Sequence, residues 1–476
     1  MPGLFGLLNL GAQSLQVQRQ GVEVSGHNLA NVNNPAYARQ RLRIQTSLPI
    51  PTPFGPQGTG AQVTGIQQLR SAIVDGQIQA ETSVRGFLDA KQAALQYGQA
   101  ILGQTIDRQA TGPEGSAASL GAGGQHGIAE SLGDLFNSFQ SLSTNPTSLT
   151  ERQATLTKAQ DLATQLNQIE ARLGNLNDSL DSSLQTDVSQ ANELLGQIAD
   201  YNKQIFASEN GAPGAANDLR DLRQQRLEEL SKLVTVQSTE QPNGAIDVSI
   251  SGTTVVSGLQ VLDTLETYDA GGGQRLVRTA AGGTPLALTG GSLQGAIEAR
   301  DGALKSLRDD VNGLASLVIT EVNTIHRAGF SLNGSTGADF YTGTNAADIA
   351  VNGALLDDPT LLQASGTSGA VGDNQVALAL AQLANRPNPS LNNRTFSQNY
   401  AQTVASLGES LASVTTEISD QTVVEKMLQR QRDSVSGVSL DEEMTDLIKF
   451  QKGFEASAHL ITTIDEMLQT VLSMKR

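Results

Sequence analysis

Apolar residues recur every seven positions near the amino terminus, where we predict a helix from about Leu4 to Asn31. The recurrence forms two stripes about 200° apart around the helix. The first stripe is Leu8, Leu15, Val22 and Leu29, and the second is Leu10, Val17 and Val24. A single partner helix cannot cover both stripes. Because Gly11, Gly21 and Gly26 weaken an isolated helix, we expect this segment to be poorly ordered alone and to fold against partners.

The carboxyl-terminal segment carries the strongest periodic pattern in the chain and predicts a coiled-coil helix beginning after Gly437. Its seven-residue repeat is Leu440, Leu447, Phe454, Ile461 and Leu468, widened by Phe450, Ile464 and Val471 on one side and by Met444 and Leu472 on the other. Ser439 stands three residues before Glu442, which predicts a capping box. We expect the terminal helices to pair, with Leu8, Leu15 and Val22 against Leu447, Phe454 and Ile461. The stripe of Leu10, Val17 and Val24 would then stay exposed and meet the next subunit.

Between these ends the pattern is mostly helical, with one β-rich interruption. A leucine seam from Leu162 to Leu180 predicts a coiled coil, and its restart at Leu184 predicts a stutter. Short alternating runs follow Val234, and Asn243-Gly244 indicates a hairpin. We therefore predict a mainly α, elongated fold with a discontinuous layout. Residues 1–35 and 437–476 form the terminal helical domain, 36–233 and 292–436 form a helical bundle, and 234–291 form a small β domain projecting outward.

Composition and charge exclude several classes of function. The formal net charge is −17, a surface that repels nucleic acid and anionic lipid. The absence of cysteine excludes disulfides, thiolate metal sites and a cysteine nucleophile. No run approaches the 18 apolar residues of a membrane span. Residues 1–18 carry no Lys or Arg, so we expect no cleaved signal peptide.

No constellation predicts catalysis or metal binding. The four histidines, His27, His126, His326 and His459, are far apart and lack ligand spacing. Adjacent acidic pairs point about 100° apart on a helix and make poor dyads. The glycines from Gly121 to Gly127 fit no nucleotide-binding motif. We therefore expect a structural protein, not an enzyme, without cofactor or metal.

Three arginines alternate along a predicted strand near residue 40. Arg39, Arg41 and Arg43 share one face, opposite Gln40, Leu42 and Ile44. The arrangement fits a solvated strand face or, in so acidic a chain, a grip on an acidic neighbouring subunit. Both interpretations stay open from the sequence.

Two terminal motifs resemble those of bacterial flagellar axial proteins. Residues 25–37, SGHNLANVNNPAY, resemble the amino-terminal signature of rod, hook and hook-associated proteins. Residues 437–444, GVSLDEEM, and 449–458, KFQKGFEASA, are similar to the flagellar hook-associated protein 1 family, the first hook–filament junction protein. Four internal segments also resemble this family: residues 219–223 with 230–231, Val322-Asn323 with His326, residues 329–334, and residues 372–374. This sequence departs at Ala36, where the family usually has glycine, so its turn must avoid a positive φ.

The resemblance implies a function and a set of partners. Family members form a ring between the hook protein and a second, distal junction protein. They are exported uncleaved by the flagellar type III apparatus to the extracellular flagellum, and a cytoplasmic chaperone covers their carboxyl-terminal helix. Two alternatives remain: another axial subunit of the hook or rod, since the first signature is shared, or a secreted coiled-coil adhesin or effector.

Overall fold

Helices account for most of the chain. The computed structural model describes residues 4–52, 55–102, 127–209 and 215–474. Of the glycine run from Gly121 to Gly127 only Gly127 is described, and His126 lies outside the described residues. The helices are α1 (Leu4–Ala30), α2 (Ala72–Ile101), α3 (Ile128–Thr144), α4 (Leu149–Glu209), α5 (Asn217–Leu233), α6 (Gly291–Ala299), α7 (Lys305–Arg327), α8 (Gly353–Asp357), α9 (Gln375–Gln382), α10 (Phe396–Ser436) and α11 (Leu440–Ser473).

The strands form small antiparallel sheets. They are β1 (Gln40–Thr46), β2 (Ile50–Thr52), β3 (Gly55–Gln57), β4 (Ala61–Gln68), β5 (Val236–Glu240), β6 (Ile246–Ile250), β7 (Thr253–Ser257), β8 (Gln260–Val261), β9 (Leu265–Asp269), β10 (Arg275–Thr279), β11 (Tyr341–Thr342) and β12 (Ala350–Val351). The prediction of a mainly α, elongated fold with a small inserted β-rich part is confirmed.

The proline-rich stretch after β1 is not an open loop. It forms the β2–β3 hairpin, in which Ile50 pairs with Gln57 and Pro51 with Pro56. Neither proline removes a needed donor from a sheet interior, because this pair has no further strand on either side within the described residues. The β2–β3 hairpin lies between β1 and β4 in the sequence. The β1–β4 pair contains a bulge between Arg43 and Ile44.

Two separate hydrophobic cores lie along α4. The first packs α2, α3, α7, α9 and α10 against the early part of α4, up to Leu173. The second packs α5, α6 and the sheet β5-β6-β7-β8 against its later part, from Leu184. The leucine seam is confirmed as a buried face up to Leu173 and again from Leu184, whereas Leu176 and Leu180 are only half-buried.

Glycines allow close helix packing in a chain with few large apolar residues. A Cβ at Gly295 of α6 would overlap the carbonyl oxygen of Phe87 in α2. A Cβ at Gly98 of α2 would lie 2.6 Å from Leu304, at the end of the π-helical turn of residues 300–304 that joins α6 to α7. The backbones of α2 and the α6–α7 segment therefore approach closely where larger residues could not fit.

The predicted Asn-Gly hairpin exists, but its loop is longer than two residues. Strands β5 and β6 are joined by residues 241–245, and Gly244 adopts φ +81°. Two buried side chains hold this loop: Asn202 Nδ2 donates to the Ile246 carbonyl at 2.8 Å, and Arg223 Nη1 donates to the Gly244 carbonyl at 2.7 Å. The loop is thus anchored to α4 and α5.

Candidate assembly site

The two ends of the chain form an antiparallel helix pair. Along α1, Gly11 lies beside Ile461 and Gly21 beside Phe450 of α11. A Cβ at Gly11 would lie 2.8 Å from Ile461 Cγ1, and one at Gly21 would overlap the Phe450 ring. Since residue numbers rise along α1 as they fall along α11, the helices run in opposite directions. The expected pairing of the terminal helices is therefore present within one chain.

The face of α1 that meets α11 is small and polar, and this corrects our prediction of a leucine seam. The buried residues of α1 include Gly11, Gly21, Ser25 and Asn28. Ser14 Oγ lies 2.7 Å from Ser457 Oγ, and a Cβ at Gly453 would meet the Gln18 side chain. These contacts follow a 3-4 spacing, as a coiled-coil seam does. We call this set the small-residue seam: Gly11, Ser14, Gln18, Gly21, Ser25 and Asn28.

Both predicted apolar stripes of α1 flank this seam, each about 70–80° to one side at 100° per residue. Leu8, Leu15, Val22 and Leu29 are half-buried. The expectation that Leu10, Val17 and Val24 stay exposed is wrong for Val17, which is 5% exposed. Leu10 and Val24 are half-buried, and Leu10 Cγ would lie 3.7 Å from a Cβ at Gly60, just before β4. The reason is that the β1–β4 pair packs beside α1 and covers part of the stripe of Leu10, Val17 and Val24.

Helix α11 is also rotated from the predicted register. Its buried residues are Glu443, Ser457 and Ile464. The predicted repeat lies three residues before these positions, about 60° around the helix. Consequently Leu447, Ile461 and Leu468 are half-buried, as is Phe450. Exposed apolar side chains of α11 are Leu440, Met444, Ile448, Phe454, Leu460, Met467, Val471, Leu472 and Met474.

Asn28 connects the amino-terminal signature to the carboxyl-terminal one. Its Oδ1 accepts from the Tyr37 hydroxyl at 2.7 Å and from the Gln40 amide at 2.9 Å. Its Nδ2 donates to the Gln40 carbonyl at 2.8 Å and to Glu443 Oε2 at 3.0 Å. The buried amide therefore satisfies all four of its hydrogen-bonding positions.

Arg39 completes this cluster, which we call the signature clasp: Asn28, Tyr37, Arg39, Gln40 and Glu443. Arg39 Nε donates to Glu443 Oε1 at 2.6 Å, and Nη1 donates to Glu442 at 2.5 Å. Neither of the two interpretations left open for the three arginines, a solvated strand face or a grip on a neighbouring subunit, describes Arg39, because Arg39 precedes β1 and turns toward α11 of its own chain. Arg41 and Arg43 are exposed, and within the described part of the chain neither pairs with a carboxylate.

The capping-box prediction at Ser439 is also wrong. Ser439 is the N-cap of α11, but its side chain makes no capping hydrogen bond. The Glu442 carboxylate binds Arg39 instead of reaching back to the backbone. Glu442 is therefore bound by Arg39 of the clasp and does not close the capping box.

A second polar cluster joins the clasp to the bundle through Asp221 of α5. Its Oδ1 accepts from Arg70 Nη2 at 2.7 Å and from Gln68 Nε2 at 2.6 Å, and its Oδ2 accepts from the Ala38 amide at 3.3 Å. Burial raises the pKa of Asp221 to about 7, although Arg70 acts in the opposite direction. Sequence reasoning noted residues 219–223 only as a family resemblance and did not identify this role.

The turn between α1 and β1 tolerates the unusual Ala36. Among the described residues, the non-glycine positions with positive φ are Ser251, Asn392 and Asn393, so Ala36 avoids that region as expected. Its amide donates to Asn34 Oδ1 at 3.1 Å, and its carbonyl accepts from Arg70 at 3.2 Å. A side chain at this position therefore costs the turn no backbone strain.

Histidines in the described residues have structural surroundings. His326 is buried: its Nε2 accepts from the Gln363 amide at 3.0 Å and its Nδ1 faces the Ala338 carbonyl at 2.8 Å. Burial lowers the pKa of His326 to about 4, so the ring is neutral near pH 7. Throughout 4–52, 55–102, 127–209 and 215–474, no group of three or more His, Asp or Glu could hold a metal ion. In the same ranges, no helix is long and apolar enough to cross a membrane.

Comparisons with known proteins agree with the geometry at both ends of the chain. The family described as flagellar hook-associated protein FlgK helical domain matches residues 118–341. The family described as flagellar basal body rod FlgEFG protein C-terminal matches residues 429–474. The second match includes all of α11 and the Glu443 end of the clasp.

Full-length relatives carry one name. Flagellar hook-associated protein 1 of Bacillus subtilis (strain 168) is 27% identical, covering 99% of each chain. That of Escherichia coli (strain K12) is 22% identical, covering 98% of this chain and all of the relative. The flagellar hook junction protein FlgK from Burkholderia pseudomallei shares the fold, with a TM-score of 0.61 at 17% identity, covering 76% of this chain and all of that structure. With both terminal signatures joined in one clasp and relatives that match end to end, the chain is similar along its whole length to proteins of the flagellar hook-associated protein 1 family.

Proposed function

We propose that this protein is a structural subunit of the bacterial flagellum that joins the hook to the filament. One observation supports this most directly: the two chain ends form a single unit, held by the signature clasp, whose flanks keep apolar side chains exposed. A subunit that assembles through its ends needs such a unit. The relatives that match over their full length are named hook-associated protein 1.

The similarity to known proteins favours the hook–filament junction role over the role of another axial subunit of the hook or rod. The Treponema pallidum hook protein FlgE is 55% identical, but over only 42 residues, or 9% of this chain. A shared terminal segment fits a shared mode of assembly, whereas the rest of the chain follows the hook-associated relatives. The adhesin alternative has no comparable support.

The subunit contacts are proposed from the surfaces that the monomer leaves open. Exposed apolar residues of α11, with the half-buried flanks of α1, would pack against neighbouring copies in a ring. Burying this surface gains about 25 cal/mol per Å². Arg41 and Arg43, exposed on the hairpin, would meet carboxylates of an adjacent acidic subunit.

Further partners follow from the family. The hook protein would bind on one side of the ring and a second hook-associated protein on the other. A cytoplasmic chaperone would cover the apolar side chains of α11 before export, and the protein would leave the cell uncleaved. In this role the chain has no catalytic activity.

Deletion of residues 438–476 tests the function. Cells producing the truncated protein should build hooks, release unpolymerised flagellin into the medium and swim poorly. The matched control replaces the exposed Glu455 and Asp465 of α11 by Gln and Asn, which changes two charges and keeps every apolar contact. Normal filaments in the deletion strain would refute the proposal.

A further inference from the structure

Helix α4 has thin apolar packing between the two hydrophobic cores. Leu173 is its last buried side chain in the first core and Leu184 its first in the second. Between them, Leu176 and Leu180 are half-buried and pack against a small cluster of Ala94, Ala299 and Leu304. Nearly three turns of a 61-residue helix therefore have little apolar packing.

A groove explains why the packing is thin. It has a volume of about 570 Å³ and lies between α4 and the α2–α6 pair. Its walls include Ala90 and Ala93 of α2, Ser179 and Ser183 of α4, and Ala296 of α6. These small side chains leave part of the space between the three helices unfilled, although larger ones such as Tyr97 and Leu180 also line it. On either side of the groove, the buried leucines of α4 belong to the two hydrophobic cores.

The helix opposite α4 is irregular at the same level. Residues 300–304, between α6 and α7, form a π-helical turn. Arg300 in this turn is buried and donates from Nη1 to Asp181 Oδ1 of α4 at 2.5 Å. It also donates from Nη2 to the Arg275 carbonyl of β10 at 2.8 Å. Asp181 directly follows Leu180, the position at which the leucine seam of α4 shifts register. The register shift in α4 therefore lies opposite the extra residue of the π-helical turn between α6 and α7.

We infer that residues 174–183 of α4 form a flexible joint at which the two cores move relative to each other. A polar ion pair can stay formed over small rotations, whereas an interdigitated apolar core resists them. Regions with few buried apolar contacts open with lower free energy than cores. The Arg300–Asp181 pair would keep the joint together while the groove gives α4 room to bend.

Hydrogen–deuterium exchange on the full-length protein tests the joint. Backbone amides of residues 175–183 should exchange at least about 10-fold faster than those of 160–170 and 188–198 in the same helix. Equal protection in all three segments would overturn the inference.

A pair of variants tests the cause. Ser179→Leu with Ser183→Leu fills the groove and should slow exchange in 175–183 by about threefold or more. Ser182→Leu is the matched control, because Ser182 is exposed and does not line the groove. If the filled variant exchanges at the control's rate, the groove is not the source of the flexibility and the inference fails. Both exchange measurements use the isolated chain, so their outcome does not depend on the proposed flagellar function.

Discussion

Asn28 and Glu443 are hydrogen-bonded at 3.0 Å although 415 residues separate them in sequence. Each belongs to one of the two terminal signatures. Glu443 is 2% exposed and accepts a hydrogen bond from Arg39, while Asn28 fixes the turn at Gln40. The signatures therefore encode one intramolecular contact that sets how the terminal helices leave the bundle.

Removing the Asn28 amide should destabilise the terminal unit. Asn28→Ala leaves the Gln40 amide, the Gln40 carbonyl and one Glu443 oxygen without their Asn28 partner, at a cost of about 2–4 kcal/mol. Asn31→Ala is the control, because Asn31 makes one exposed bond to the His27 carbonyl and should cost under about 0.5 kcal/mol. Denaturant unfolding followed by helix content measures both. Equal effects would show that the clasp is not stabilising.

Two glycines of α1 should respond oppositely to the same substitution. Gly21→Ala places a methyl group in the Phe450 ring and should destabilise the pair by about 1–3 kcal/mol. Gly26→Ala meets nothing within 4 Å and should stabilise α1 by about 0.5–1 kcal/mol. Amide exchange in α1 reports both. Stabilisation by Gly21→Ala would contradict the small-residue seam.

Asp221 should make stability fall as pH rises. Its pKa is about 7 in the folded protein and near 4 when unfolded, so the folded state binds more protons between these values. Stability then declines from pH 4 to pH 7, by a few kcal/mol at most. Buried His326, with its lowered pKa of about 4, contributes in the opposite direction between pH 4 and 6.5.

The Asp221 contribution is isolated by comparing wild type with Asp221→Asn, since His326 is common to both. The difference in free energy of unfolding, wild type minus variant, should decrease as pH rises from 4 to 7. A difference that increases over this range would mean that Arg70 outweighs burial and that the carboxyl is ionised.

Arg41 and Arg43 should affect assembly without affecting folding. Arg41→Glu with Arg43→Glu removes two cations that make no ion pair within the described residues, so the free energy of unfolding should change by less than about 0.5 kcal/mol. If they meet an acidic neighbour, swimming should fall strongly. Arg19→Glu is the control, because Arg19 is exposed on α1 and pairs only with Glu23 four residues away. Normal swimming in the double variant would exclude this contact.

Periodicity predicted the helices well and their rotation poorly. The bounds of α1 and the start of α11 follow from the sequence pattern, and so does the small β region. Large apolar residues, however, indicate that a helix packs against other elements. They do not show which of its faces is buried most deeply. In α1 the innermost positions are glycine and serine, since only they allow α11 to approach, and the leucines lie on the flanks.

The clasp could not be predicted from spacing, because its members come from three distant segments. Asn28, Arg39 and Glu443 meet only once the fold is formed. The family resemblance identified the segments, but not the bond between them. Arg39 differs from Arg41 and Arg43 because it stands before the strand begins, a boundary that alternation does not show.

The position of the protein on isolated hook–filament structures tests the central claim most directly. Antibody against this chain, visualised by electron microscopy, should label one narrow band where the hook ends and the filament begins. Labelling along the whole hook, along the filament or on detached cell surfaces would contradict a junction subunit.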